Sequence, residues 1–191
     1  AKALADASVL AKAAQDLDEV LGRKVSDYSP IAGEGPEVIA RRLFEHIDAG
    51  AGQEASAQYY SAYQRVIEQY PDALPPHVAT HEYAQGIVRC YPFHPRLMET
   101  AQDRLGALQD FNRARGVLRL FARIVRDVWG QERDLHLITA GEIDWSSPRI
   151  QGDLLTRLKR EPFQAAVNAD VIEHAGRLDQ KFETDIHRRV A

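Results

Sequence analysis

Hydrophobic and polar positions between residues 111 and 129 follow the helical repeat of about 3.6 residues, and they divide into three stripes. Two stripes are apolar: Val117, Phe121, Ile124 and Val128, and then Leu118, Val125 and Trp129. The third stripe is basic, with arginines at i, i+4, i+8 and i+11: Arg115, Arg119, Arg123 and Arg126. The pattern predicts a helix enclosed on most sides, whose arginines are directed at a neighbour.

Similar apolar spacing predicts helices along the rest of the chain. They cover residues 1–21, a segment from Pro36 to about Gly50, and residues 53–70, 79–90, 95–106, 147–160 and 161 onward. Only residues 135–138 have any strand character. The sequence therefore predicts an all-α fold, a multi-helix bundle.

A proline-bounded break runs from Pro71 to Pro76 and interrupts this helical pattern. It is the best candidate for an internal boundary. We predict an N-terminal helical segment over residues 1–75 and a second helical segment over residues 76–191.

Composition limits the classes of function. The 191 residues are 45% hydrophobic and 27% charged with a formal net charge of −4, so no overall basic field would attract nucleic acid. A single cysteine, Cys90, excludes an internal disulfide and is expected to be a small buried residue, as in a reducing cytoplasm. No membrane span is expected. Because the chain begins Ala1-Lys2-Ala3 and has Met98 as its one methionine, we expect a piece of a longer product.

Familiar catalytic motifs are missing from the sequence, and we nominate no catalytic residue. There is no Gly-x-x-x-x-Gly-Lys-Ser/Thr loop, no Gly-x-Gly-x-x-Gly and no nucleophile elbow. His77 and His81 have the spacing of two ligands on one helix face, but a third ligand is not evident, so we predict no metal site. His94, between Phe93 and Pro95, is interpreted as a corner histidine that hydrogen-bonds to backbone, with proton transfer or ligand contact as the alternative.

The arginine stripe allows two interpretations. It is either a solvated helix face paired with acids elsewhere, or a surface that contacts phosphate, which suits the forked guanidinium group. The apolar stripes favour phosphate contact, since they would hold the remaining face rigidly. Gly116 adds a position at which another backbone or a ligand can approach closely.

Three segments together resemble a known family. Arg41-Arg42-Leu43-Phe44, Tyr91-Pro92-Phe93-His94-Pro95 and the segment from Phe111 to Arg119 look like the DUF499 family of large bacterial predicted AAA+ ATPases, in the region after the P-loop core. Within the third segment, Gly116-Val117-Leu118-Arg119 resembles the second-sensor motif of AAA+ proteins. The similarity covers most of residues 20–175.

The resemblance implies a helical lid region of a larger cytoplasmic ATPase, in a DNA-modification or phage-defence system. Arg119 would be the sensor-like arginine toward ATP, with Arg115 a weaker candidate and Gly116 beside it. ATP and Mg²⁺ would bind only in the intact parent, whose P-loop core lies upstream. The implied partners are that core, a DNA methyltransferase-like protein and further copies of the chain.

Two other functions stay open at this point. The aromatic stripe of residues 59–70 contains Tyr59, Tyr60, Tyr63 and Tyr70, which would form the partner surface of a helical protein–protein interaction module. We otherwise expect such a stripe to be core. Direct nucleic-acid contact through the arginines is the third function, and it would weaken steeply with salt.

Overall fold

The computed structural model describes residues 35–105, 107–108, 113–131 and 135–191. The helix predicted over residues 1–21 lies outside these ranges. Residues 35–191 belong to one compact unit, and the boundary predicted between residues 75 and 76 falls inside it. Nine segments of α-helix are found within the described ranges: α1 Pro36–Leu43, α2 Ala49–Gln69, α3 His81–Cys90, α4 Pro95–Glu99, α5 Arg113–Gly130, α6 Pro148–Gln151, α7 Gln164–Ala166, α8 Gly176–Phe182 and α9 Ile186–Val190.

Wider and tighter helical turns extend several of these helices. Three π-helical segments follow α4, α6 and α7 directly: Thr100–Leu105, Gly152–Thr156 and Val167–Ala175. Single 3₁₀ turns occupy Pro76–Ala79, Ala140–Glu142 and Glu161–Phe163. The all-α prediction is confirmed. The weak strand character of residues 135–138 yields only one isolated parallel bridge, between Phe93 and Ile138.

Local side chains explain where the helices begin. Asp48 accepts hydrogen bonds from the backbone N–H groups of Gly50 and Ala51, and Thr80 caps α3 in the same way. The helix predicted from Pro36 to about Gly50 is therefore too long. It ends at Leu43 because Phe44 is extended and Asp48 starts a new helix.

The main core lies around α5, whose Phe121 stacks on Phe93 with ring centroids 4.6 Å apart. Its buried members come from six helical segments and two connections: Ile39, Cys90, Phe93, Leu97, Met98, Ala101, Val117, Leu120, Phe121, Ile124, Ile138 and Ile150. A smaller cluster of Ala55, Ile87 and Leu137 is covered by tyrosines of α2 and α3. Helices α2 and α3 pack together across the proline-bounded break.

Most of the predicted α5 stripes are confirmed. Val117, Phe121 and Ile124 are buried, and Leu118 and Val125 pack partly buried against the core. The prediction is wrong for Trp129, whose surface is 81% exposed one residue before the helix ends. No helix among the described residues is long and apolar enough to cross a bilayer.

Candidate functional site

A buried carboxylate, Asp153, is the centre of the site that contains Arg119. Asp153 lies in the π-helical segment after α6 and is 1% exposed. Burial of an isolated charge in this way is costly, so the carboxylate requires partners. Three arginines supply them.

Two of those arginines come from the predicted stripe on α5. Arg119 donates from Nε to both carboxylate oxygens, at 3.0 Å to Oδ1 and 3.3 Å to Oδ2. Arg123 pairs through Nη1 with Oδ2 and also donates to the backbone carbonyl of Arg149. Arg157, one helical turn after Asp153, adds a contact of 3.4 Å from its Nε. We call these four side chains the Asp153 cluster.

The Asp153 cluster has more positive than negative charge. Three guanidinium groups surround one carboxylate, which leaves a formal surplus of two positive charges. Nη2 of Arg119 is buried, and it has no hydrogen-bond partner among the described residues. A cluster of this kind can accept a further anion, because arginine binds oxyanions through several N–H groups at once.

The other predicted site residues have different surroundings. Arg115 is exposed and is not one of the arginines that contact Asp153, while Gly116 is buried in the first turns of α5. The structure thus brings Arg119 together with Arg123 and leaves Arg115 at the surface.

Sequence reasoning missed Asp153. One signal was available, because Asp153 and Arg157 have the i, i+4 spacing of a helical ion pair. Nothing in the sequence indicated that the same carboxylate would contact α5, because Arg119 lies 34 residues before Asp153 in the chain.

Two further buried acids hold the C-terminal helix α9. Asp179 accepts from the backbone N–H groups of His187 and Arg188 and pairs with both of their side chains. Burial raises the pKa of Asp179, but these hydrogen bonds outweigh that effect and lower the pKa to about 2. Glu142 pairs with Arg189 at the end of the same helix. These acids have structural partners and do not belong to the Asp153 cluster.

The histidines considered as metal ligands have aromatic neighbours. His81 stacks on Tyr60 with ring centroids 4.8 Å apart, and His77 meets the ring of Tyr83 edge-on. His94 caps α4 by accepting from the backbone N–H of Arg96, so the predicted backbone contact is confirmed. Cys90 is buried, also as predicted.

Comparison with known proteins identifies the family. The family model of the DUF499 second domain matches residues 33–190, which includes all of the described helices. The chain belongs to the DUF499 family. This DUF499 domain has no match among curated proteins and none among solved structures. The resemblance seen in the sequence is confirmed at the level of the family.

Proposed function

We propose that this DUF499 domain is the regulatory helical lid region of a larger AAA+ ATPase, in a DNA-modification or phage-defence system, and that it supplies Arg119 to bound ATP. The family match supports this proposal, since the matched model is named as a second domain. The observation that carries it is the buried Nη2 of Arg119, which has no hydrogen-bond partner among the described residues although its Nε is held by Asp153. Terminal phosphates of a nucleotide are anions that such a donor can stabilise.

Arg119 is suited to hold two anions at once. Its Nε is occupied by Asp153, while its Nη2 has no partner among the described residues. That nitrogen is buried, so a phosphate would reach it only after a movement that exposes it. Closure of a lid is a movement of this kind, and it would link the state of the nucleotide to the position of α5. Mg²⁺ and the P-loop would come from the upstream core.

ATP hydrolysis by the full-length parent tests the proposal. We expect Arg119→Ala to lower turnover at least about tenfold, because one lost donor to a developing charge commonly costs more than that. Arg157→Ala is the matched control. It removes another partner of Asp153 but keeps the Nη2 of Arg119 that would contact the nucleotide, so turnover should stay within about twofold of wild type.

Circular dichroism must show equal helicity for both variants. Equal turnover in wild type and folded Arg119→Ala would refute the phosphate role of this side chain. A similar loss in Arg119→Ala and Arg157→Ala would also refute it, because the effect would then come from damage to the Asp153 cluster.

The alternative function is a helical protein–protein interaction module with no nucleotide role. The tyrosines first considered for this surface are mostly engaged within the chain, since Tyr59 and Tyr63 pack on the smaller core cluster. A different observation favours the alternative: exposed Trp129 borders an apolar groove of about 420 Å³ formed by Phe44, Pro92, Val125, Val128, Leu135, His136, Leu137 and Ile138. Exposed tryptophans beside such grooves are common anchors of interfaces.

The two functions predict different variants to be damaging. Under the alternative, Trp129→Ala would abolish formation of the parent's complex with its partner protein. Arg119→Ala would leave ATP turnover by the parent unchanged. Under the lid proposal, Arg119→Ala would lower ATP turnover and Trp129→Ala would retain it.

A further inference from the structure

A half-open cavity of about 390 Å³ lies between the two core clusters, apart from the Asp153 cluster. Its wall is mostly apolar and includes Leu97, Ala101, Leu120 and Ile143. A smaller set of polar side chains also lines it: Tyr59, Tyr63, His94, Arg96, Thr100 and Thr139. This combination of an apolar wall and a few fixed polar groups is typical of small-molecule sites.

Irregular helices form part of the wall. The π-helical segment Thr100–Leu105 contributes Thr100, Ala101 and Leu105, and the segment Gly152–Thr156 contributes Leu154. Wide turns of this type often occur at functional sites, because they displace side chains from positions that an α-helix would give them.

Neighbouring hydrogen bonds determine which member of the Tyr63–His94 pair donates and which accepts. The backbone N–H of Arg96 donates to Nδ1 of His94, so Nδ1 must carry a lone pair and the neutral ring must carry its hydrogen on Nε2. Burial lowers the pKa of His94, which favours this neutral ring. Nε2 lies 2.8 Å from Oη of Tyr63 and therefore donates to it.

Tyr63 is left with a hydrogen to donate. Its oxygen accepts from His94, so its own O–H must be directed elsewhere. Oη of Tyr63 has no second hydrogen-bond partner among the described residues. The pair thus presents one oriented donor on the wall of an apolar cavity.

We propose that this cavity binds a small, uncharged molecule that has an apolar body and one carbonyl-type acceptor, which receives the hydrogen bond of Tyr63. The apolar wall selects the body of the ligand through burial. The donor selects the acceptor, because a ligand without one would displace water from the O–H of Tyr63 and leave that donor unpaired.

Acetophenone and ethylbenzene form a matched pair of probes, since they have nearly the same shape and only acetophenone has an acceptor. Both are titrated into the 191-residue chain, and binding is followed by NMR shifts of residues that line the cavity. We expect acetophenone to bind about two- to tenfold more tightly, the factor that corresponds to one net hydrogen bond.

Tyr63→Phe should remove this preference and leave ethylbenzene binding unchanged. The control is Tyr60→Phe on the same helix, since Tyr60 is paired with His81 and does not line the cavity. Ala101→Leu should block both probes by filling the cavity. If that variant does not fold, the comparison of Tyr63→Phe with Tyr60→Phe decides alone.

Two results would overturn the proposal. One is the absence of shifts at cavity residues with either probe. The other is a preference for acetophenone that survives in Tyr63→Phe or disappears equally in Tyr60→Phe.

Discussion

The substitution Asp153→Asn tests whether the Asp153 cluster stabilises the fold. Asparagine keeps the shape of the side chain and removes its charge, so three arginines lose their shared carboxylate. Removal of one partner from a buried ion pair usually costs about 3–5 kcal/mol, because the remaining charge stays desolvated. Here the side chains of Arg119, Arg123 and Arg157 are 24%, 28% and 42% exposed, so water can compensate in part. We therefore expect the lower end, about 3 kcal/mol.

Urea unfolding of the 191-residue chain, followed by circular dichroism at 222 nm, measures this loss. A decrease of about 3 kcal/mol corresponds to a melting temperature lower by about 6–12 °C for a chain of this size. Asp144→Asn is the matched control. Asp144 hydrogen-bonds Ser146 at an exposed position, and its loss should cost less than about 1 kcal/mol.

Substitutions of the three arginines should destabilise the chain by different amounts. Arg157→Ala should cost least of the three, because its contact with Asp153 is the longest and its side chain the most exposed. Arg119→Ala should show strong coupling to Asp153→Asn in a double-mutant cycle. If Asp153→Asn costs no more than Asp144→Asn, or the cycle shows no coupling, the buried carboxylate does not organise these helices and the reasoning is wrong.

Three further predictions concern the rest of the fold. Because the pKa of Asp179 falls from 3.8 to about 2 on folding, its contribution to stability is full above about pH 3.8 and is lost as the pH falls toward 2. Urea unfolding from pH 5 to pH 2 should show the free energy of unfolding decreasing over this range, and Asp179→Asn should reduce that decrease. Burial raises the pKa of Cys90 to about 11, so a thiol reagent should label the native chain at pH 8 far more slowly than the urea-unfolded chain, and equal rates would contradict the buried position. In the same unfolding assay, Phe121→Ala should destabilise the chain by about 3–5 kcal/mol because its ring is fully buried. Trp129→Ala should change the stability by less than about 0.5 kcal/mol because its side chain is exposed, and a loss similar to that of Phe121→Ala would contradict this.

Much of the fold could be predicted from the sequence, because it depends on residues that are close together in the chain. The 3.6-residue spacing of Val117, Phe121 and Ile124 predicted both the helix and its buried side, because a helix repeats its surface at that interval. Prolines at residues 71–76 predicted the break after α2, since proline cannot continue a helix. The DUF499 resemblance also came from local segments, and the family match confirms it. By contrast, the role of Arg119 at a nucleotide stays a prediction.

Tertiary structure alone decided which side chains meet. Periodicity placed Arg119 and Arg123 on one stripe, but only the packing of α5 beside α6 and its π-helical extension brought Asp153 to them. In the same way, only the approach of α2 to the corner at His94 produced the Tyr63–His94 pair. Spacing along the chain fixes the relations of residues within one helix, whereas burial and ion pairing between helices depend on distances that a one-dimensional pattern does not contain.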